Sequence, residues 1–340
     1  MQSNKSLVCS KPGFLHLEQR PPPHPEPGHA LVRTHRVGIC GTDFHIFEGK
    51  HPYLQYPRVM GHELAVEVLE APAGSGFAIG ELCVVNPYIA CGGCNACRAG
   101  KPNCCARISV LGVHRDGGMA GLLSIPVGNL LHADGLSADA CASVEFLSIG
   151  AHAVRRGAVA EGDRILVVGA GPIGLGVALF GRLAGGDVTV LDMSAERIAT
   201  AKSILGVDAI GGDGNPAEAI SARTRSEGYD VVFDATGDQR SMQAGFGYVA
   251  HGGRYVLVSV VNDMITFPDP VFHSREMTLF GSRNATSSDF ERVISAIRND
   301  DVPLRDFITH RTSLAEAIGN IPIWATDKSG LIKALIEFDG

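Results

Sequence analysis

The chain has 340 residues, enough for about two domains that each bury a hydrophobic core. Its formal net charge of −7 gives no general attraction to nucleic acid or to an anionic membrane surface, so neither is expected as a partner. Residues 1–20 contain no apolar run long enough for a signal peptide, and we expect a cytoplasmic protein. Its nine cysteines then favour thiolate chemistry or metal binding over disulfides.

The first 37 residues alternate short apolar runs with turns, which predicts irregular β structure. A proline-rich connector (residues 21–28) precedes a predicted strand at Ala30–Val37. Cys40 follows this strand, and His62 and Glu63 come a short distance further on. Cys40 alone would fit a buried small hydrophobe, and His62 alone would fit a core histidine. Together a thiolate, an imidazole and a carboxylate suit a catalytic zinc, which uses few protein ligands and keeps one position open.

Four cysteines follow in the pattern C-x2-C-x2-C-x7-C, at Cys91, Cys94, Cys97 and Cys105. Four thiolates suit a closed, tetrahedral structural zinc, and the glycines between them let the loop fold tightly. The alternative is a set of free or redox-active thiols. Cys104 is the spare thiol by spacing.

The middle of the chain predicts a dinucleotide-binding fold. A buried strand at Ile165–Val168 leads into the sequence G-x-G-x-x-G at residues 169–174, then a helix and a second strand that ends at Asp192. The glycines would allow a tight turn, approach of the pyrophosphate and close helix packing. Asp192 would accept hydrogen bonds from the adenosine ribose and repel a 2′-phosphate, which favours NAD over NADP. The uncharged run 165–181 contains too many glycines for a membrane span.

Further helices and strands alternate after Asp192. We predict a helix at Ala195–Leu205 and strands at Tyr229–Asp234, Gly253–Val260 and Met277–Gly281. This alternation indicates a parallel, doubly wound sheet. Before the nucleotide motif, a helix is predicted to open at 143–146 and to run through 151–154; after the sheet, the chain ends in a predicted strand at 331–338.

Gly-Ile-Cys-Gly-Thr-Asp at 38–43, Gly-His-Glu at 61–63 and the four-cysteine spacing resemble the zinc-containing medium-chain dehydrogenase/reductase superfamily, in its sorbitol dehydrogenase-like branch. The resemblance covers essentially the full chain. It implies an α/β protein with two domains. Residues 1–149 and 285–340 would form a GroES-like, irregular β catalytic domain, and residues 150–284 a Rossmann domain with a doubly wound parallel sheet.

The resemblance also assigns roles to residues. Cys40, His62 and Glu63 would bind a catalytic zinc, and Glu145 would reach it directly or through water. Thr42 and His45 would relay the alcohol proton to solvent, while His114 and Arg283 would lie near the substrate. The cysteine lobe would hold a second, structural zinc. The predicted cofactor-binding residues are Gly169, Gly171, Pro172, Ile173, Gly174, Asp192, Arg197, Thr236, Ser259 and Arg283.

The function implied is a zinc- and NAD-dependent dehydrogenase that oxidises a secondary alcohol of a sugar acid at C5, of the L-galactonate, L-gulonate or L-idonate type. A neutral polyol dehydrogenase is the main alternative. A non-catalytic NAD-binding protein is a remote one, because it would not need both zinc ligand sets and the relay pair. The expected partner is a small-molecule substrate, and a homo-oligomer (dimer or tetramer) is expected.

Overall fold

The computed structural model describes residues 4–50, 54–211 and 214–338. The chain divides into two units, one formed by Met1–Glu145 and Thr286–Gly340 and the other by Phe146–Ala285. The functional domain boundaries after residues 149 and 284 remain a prediction. Among the described residues, every helix is too short or too polar to cross a bilayer.

The first unit is built mainly of short strands. In chain order its elements before the boundary are β1 (Asn4–Lys11), β2 (Phe14–Arg20), β3 (His29–Ile39), α1 (Gly41–Phe47), β4 (Arg58–Val59), β5 (Glu63–Glu70), β6 (Leu82–Val85), β7 (Tyr88–Ile89), α2 (Asn95–Arg98), β8 (Ser109–Val110), β9 (Leu122–Pro126), β10 (Leu130–His132) and α3 (Ala138–Ala142). Helix α4 (Val144–Arg156) begins at the end of this unit.

The second unit alternates strands and helices. Its elements are β11 (Arg164–Val168), α5 (Pro172–Leu183), β12 (Asp187–Asp192), α6 (Ala195–Leu205), β13 (Asp208–Gly211), α7 (Pro216–Thr224), β14 (Tyr229–Asp234), α8 (Gln239–Ala244), β15 (Val249–Leu257), α9 (Asp269–Ser274) and β16 (Thr278–Gly281). The chain then returns to the first unit with α10 (Ser287–Arg298), α11 (Leu304–Phe307), β17 (Ile308–Ser313), α12 (Ala317–Thr326) and β18 (Lys333–Glu337).

Strand β3 is the centre of the largest sheet of the first unit. The strand order is β10-β6-β5-β3-β18-β17, and β9 also pairs with β3. β3 pairs antiparallel with β5, with Gly38 opposite Glu63, and antiparallel with β18, with Ile39 opposite Ala334. The end of β3 therefore lies beside the starts of β5 and β18, although these strands are far apart in sequence.

The sheet of the second unit is parallel, in the order β13-β12-β11-β14-β15-β16. The doubly wound α/β arrangement predicted from the alternation is confirmed. The order reverses at β11, and the carboxyl ends of β11, β12 and β14 lie at one edge of the sheet, where ligands bind in this type of fold. The buried interiors of β11 and β14 are continuously apolar, as both faces of a parallel sheet are covered.

The predicted strand Gly253–Val260 differs most from the structure. It was expected to begin at Gly253, but β15 begins at Val249, contains Gly252 and Gly253, and ends at Leu257. Its register against β14 shifts between Tyr229 and Val231, so β15 carries extra residues at this irregularity. Gly252 has a φ of +72°, a conformation that glycine adopts without strain. A glycine pair thus marks a bulged strand here, not a loop.

Gly174 should be intolerant of any side chain, because a Cβ there would lie 1.7 Å from the carbonyl oxygen of Gly169. We expect Gly174→Ala to lower the free energy of unfolding by about 1–3 kcal/mol or more, as overpacking against backbone does. Gly171→Ala is the matched control, since a Cβ at Gly171 meets no atom within 4 Å among the described residues. Urea unfolding should show a loss for the first variant and almost none for the second; equal losses would contradict this packing.

Candidate metal centres and cofactor edge

The pairing of β3 with β5 brings together the three predicted ligands of the catalytic zinc. Cys40 follows the last residue of β3, His62 precedes the first residue of β5, and Glu63 is that first residue. Their ligand atoms all lie within 4.8 Å of one another. His62 is 5% exposed and Glu63 is fully buried, so these two polar groups need a partner that compensates their burial.

Asp43 holds the backbone around this cluster in place. It is fully buried, and its two carboxylate oxygens accept hydrogen bonds from the backbone N–H of Cys40 (2.9 Å) and of Gly61 (3.1 Å). Oδ1 also lies 3.9 Å from Nδ1 of His62, an atom that has no hydrogen-bond partner among the described residues. Asp43 belongs to the Gly38–Asp43 motif, although no role was predicted for it.

Glu63 has a buried cation beside it, which no sequence pattern indicated. The Lys333 ammonium lies 2.6 Å and 2.7 Å from the two carboxylate oxygens and also donates to the carbonyl oxygen of Ile39 at 3.2 Å. Lys333 is 2% exposed. Gly38 makes room for the carboxylate, since a Cβ at that position would lie 2.0 Å from Glu63 Oε2.

Glu145 is buried near the same cluster but lies outside the group whose ligand atoms approach within 4.8 Å among the described residues. The Tyr88 hydroxyl donates a hydrogen bond to Glu145 Oε1. Burial raises the pKa of Glu145, although the charge of His62 opposes this shift. Burial also raises the pKa of Tyr88 well above its usual range, and the negative charges of Glu145, Cys40 and Glu63 add to it, so the phenol stays protonated.

Helix α1 presents the two predicted relay residues. Thr42 and His45 are three positions apart and therefore share one face of the helix. Thr42 Oγ1 lies 3.9 Å from the Cys40 sulfur, and His45 is exposed. Partial burial lowers the pKa of His45, and the positive charge of Lys328 lowers it further, so the imidazole is neutral near pH 7 and can accept a proton.

The donor set at Cys40, His62 and Glu63 fits a divalent metal ion. A soft sulfur, an imidazole nitrogen and a carboxylate oxygen form the mixed set that zinc uses in catalytic sites. Burial alone would lower the pKa of His62. A hydrogen bond with Cys40 and the negative charges of Asp43, Cys40 and Glu145 outweigh that effect and raise the pKa well above 6.5. The cluster therefore stabilises positive charge at this point, as a cation site must.

The four cysteines of the lobe also come together, with all sulfur atoms within 4.8 Å of one another. The backbone N–H groups of Cys91 and Arg107 each donate to the Cys105 sulfur at 3.3 Å. The Arg107 guanidinium donates to Cys91 Sγ at 3.4 Å, and this bond, together with hydrogen bonds from the Gly93 backbone and Cys105, lowers the pKa of that thiol to about 6. Hydrogen-bond donors and a nearby cation stabilise the negative charge of a cluster of thiolates. Cys104 is exposed and is not part of this group.

The cofactor residues predicted around the glycine turn line the carboxyl edge of the second unit's sheet. Gly171 caps α5, and Pro172 and Ile173 begin its first turn, where unpaired backbone N–H groups favour an anion. Asp192 ends β12; its Oδ2 accepts from Ala170 N at 2.7 Å and its Oδ1 from Ser194 N at 2.8 Å. These two bonds fix the carboxylate beside the turn and leave each oxygen a further lone pair.

The other residues predicted to contact cofactor or substrate lie on several different elements. Thr236 follows β14, where its backbone N–H and hydroxyl both donate to Asp234 Oδ1. A Cβ at Gly237 would lie 3.7 Å from the Ser259 Cβ, which places Ser259 at the same edge. Arg283 follows β16 and is exposed. His114, in the first unit, is exposed, and its Nδ1 accepts from Val110 N at 3.1 Å, so its proton lies on Nε2.

Comparison with known proteins gives the class of this chain. Residues 26–135 match the model of the alcohol dehydrogenase GroES-like domain, and residues 172–299 match that of the zinc-binding dehydrogenases. The chain is 40% identical over 350 residues to L-galactonate-5-dehydrogenase of Escherichia coli (strain K12), with 99% of this chain and 100% of that protein covered. It is 32% identical to human sorbitol dehydrogenase, with 99% and 96% covered.

Solved structures agree with this assignment. An alcohol dehydrogenase (rspB) of Escherichia coli CFT073 in complex with NADH superposes with a TM-score of 0.93 at 29% identity, covering 99% of both chains. A zinc-binding dehydrogenase of Sinorhizobium meliloti 1021 bound to NADP gives 0.90 at 26% identity, covering 99% and 100%. The chain therefore belongs to the zinc-containing medium-chain dehydrogenase/reductase family, as its motifs predicted.

Lys333 should be essential for stability because it compensates a fully buried carboxylate. We expect Lys333→Met to lower the free energy of unfolding by about 3–5 kcal/mol, the usual cost of leaving one partner of a buried ion pair alone. Arg311→Met on the neighbouring strand is the control, since Arg311 forms half-exposed ion pairs with Asp139 and Glu337. Its loss should cost at most about 1 kcal/mol. Urea unfolding that ranks the two variants equally would contradict the prediction.

Proposed function

We propose that this chain oxidises a secondary alcohol of a sugar acid, with NAD as the hydride acceptor and with one catalytic and one structural zinc. The observation that carries the zinc chemistry is the convergence of Cys40, His62 and Glu63 at the end of β3, beside Thr42 and His45. The 40% identity to L-galactonate-5-dehydrogenase supports the substrate class. The identity to sorbitol dehydrogenase supports a neutral polyol as the second candidate.

In the proposed mechanism Cys40, His62 and Glu63 would hold the catalytic zinc, and Glu145 would reach it directly or through water. A zinc bound there would supply Lewis acidity, which lets an alcohol ionise near neutral pH. The Thr42 hydroxyl would accept the alcohol proton while passing its own proton on toward His45, which is neutral and exposed and would release it to solvent. Asp43 holds the backbone of Cys40 and Gly61 in place, so that the ligands do not shift during the reaction.

The lobe formed by Cys91, Cys94, Cys97 and Cys105 is proposed to hold the structural zinc. Four sulfur ligands leave no open position for a substrate, and Arg107 compensates part of their negative charge. We also propose that the chain forms a homo-oligomer. Among the described strands β16 lies at the edge of its sheet, and an edge strand offers unpaired backbone groups to which another chain can pair.

A sugar acid brings a carboxylate to the active site, and this charge needs a cation or strong donors. Arg283 is the proposed anchor, because a guanidinium can bind a carboxylate bidentately. His114 is the proposed second donor, through its Nε2–H. The alternative role for Arg283 is contact with the cofactor, in which case its loss would impair acids and polyols alike.

Asp192 is proposed to select NAD by accepting both ribose hydroxyls. We expect Asp192→Ala to cost about 1.5–3 kcal/mol of binding, the range for hydrogen bonds to a charged group, and so to raise the KM for NAD by roughly ten- to a hundredfold. NADP use should improve relative to NAD, since repulsion of the 2′-phosphate is lost and Arg197, 3.8 Å from Asp192, remains. Steady-state kinetics with both cofactors measures this ratio.

The control for this experiment is Asp187→Ala, which removes an exposed acid at the other end of β12. It should leave both KM values unchanged. A wild type that prefers NADP, or an Asp192 variant with an unchanged ratio, would show that the acid has another role.

The proposed activity is tested by a screen of C6 aldonates and neutral polyols for NADH production. We expect the wild type to oxidise at least one hexonate, and Arg283→Ala to raise the KM for that acid while sparing polyols. Cys40→Ala should abolish turnover and lower the zinc content from two ions to one per chain, because it removes one of the few ligands of the open site. Cys104→Ala, which changes an exposed cysteine outside the lobe cluster, should do neither.

The outcomes of this screen separate the candidates. Oxidation of a polyol with no oxidation of any hexonate would favour the polyol dehydrogenase and reject the sugar acid. Failure to oxidise either class, or zinc content that is unaffected by Cys40→Ala, would reject the proposed zinc-dependent alcohol oxidation at this site.

A further inference from the structure

We propose that Tyr88 is a positioning residue of the catalytic metal centre, which holds Glu145 in place for the ion through its phenolic hydroxyl. The inference rests on the proposed zinc site at Cys40 and His62. Tyr88 and Glu145 are 57 positions apart in sequence, yet the hydroxyl donates to Glu145 Oε1 inside the protein. Tyr88 is 8% exposed and Glu145 is 3% exposed, so water does not replace this bond.

The two acids next to Cys40 and His62 have partners of different charge. Lys333 binds both oxygens of Glu63 and neutralises the carboxylate. Tyr88 is a neutral donor and binds one oxygen of Glu145. A phenol orients a carboxylate without cancelling its charge, whereas an ammonium does both. Tyr88 therefore fixes one oxygen of Glu145 and adds no positive charge that would compete with a cation in the cluster.

The backbone of Tyr88 is itself held by two asparagines. Its N–H donates to Asn86 Oδ1 at 3.0 Å, and Asn129 Nδ2 donates to the carbonyl oxygens of Asn86 (2.8 Å) and Tyr88 (3.3 Å). The Tyr88 ring also makes an edge contact with Phe290, with the ring centroids 6.4 Å apart. These contacts fix the position from which the Tyr88 hydroxyl donates to Glu145.

The test is Tyr88→Phe, which keeps the ring and its contact with Phe290 and removes only the hydroxyl. We expect the mixed Cys40/His62 site to lose zinc to a chelator at roughly ten- to a hundredfold lower chelator concentration, the range for loss of a group that orients a ligand. In Co²⁺-substituted protein, the visible d–d bands of that site should shift. The lobe contributes equally to both proteins, so the difference spectrum reports the catalytic site.

Tyr255→Phe is the matched control, because Tyr255 is buried in the other unit and donates its hydroxyl to the Met242 carbonyl oxygen at 2.9 Å. It should change stability but neither zinc affinity nor the cobalt spectrum. Asn129→Ala keeps the Tyr88 hydroxyl but loosens its backbone, so a smaller change in the same direction is expected. This second variant decides the matter if Tyr88→Phe does not fold.

Zinc affinity and a cobalt spectrum in Tyr88→Phe that match those of the wild type, with only a lower Tm, would overturn the inference and leave a purely structural hydrogen bond. Neither measurement requires a substrate or NAD. Failure of the sugar-acid proposal would therefore leave this test intact. A wild type that binds no metal at Cys40 and His62 would overturn both the zinc site and the role of Tyr88.

Discussion

The register of three strands is the constraint on which the metal centre depends. Gly38 of β3 lies opposite Glu63 of β5, and Ile39 of β3 lies opposite Ala334 of β18. A shift of one residue in either pairing would turn the affected side chains to the other face of the sheet. The ladder of backbone hydrogen bonds thus determines where a thiolate, an imidazole and a carboxylate meet, before any metal binds.

The cost of this arrangement is buried charge, and the protein meets it by giving each group a dedicated partner. Asp43 accepts two backbone N–H groups, Glu63 has Lys333, and Glu145 has Tyr88. Unpaired charges at these positions would destabilise the fold by several kcal/mol each. The partners also restrict how the ligand atoms move, which serves the preorganisation that a catalytic centre requires.

The parts that sequence reasoning predicted are local in the chain. The glycine turn with Asp192, the cysteine spacing and the Cys40 motif each have their signal within a few tens of residues, and periodicity predicted the parallel sheet. Lys333 is 270 positions from Glu63, and Tyr88 is 57 from Glu145, so only the tertiary fold connects them. The start of β15 was missed for a related reason, because its bulge depends on pairing with β14 and not on its own residues.

The cysteine lobe is inserted between two very short strands, β7 and β8, in which Tyr88 pairs with Val110. Closing a long loop on so few backbone hydrogen bonds is entropically unfavourable, and an ion that cross-links the loop reduces that cost. The exposed residues between the cysteines can therefore vary in composition while the base of the loop stays fixed. This makes the lobe an exchangeable module, in which evolution or design could build new surface without disturbing the neighbouring chemistry.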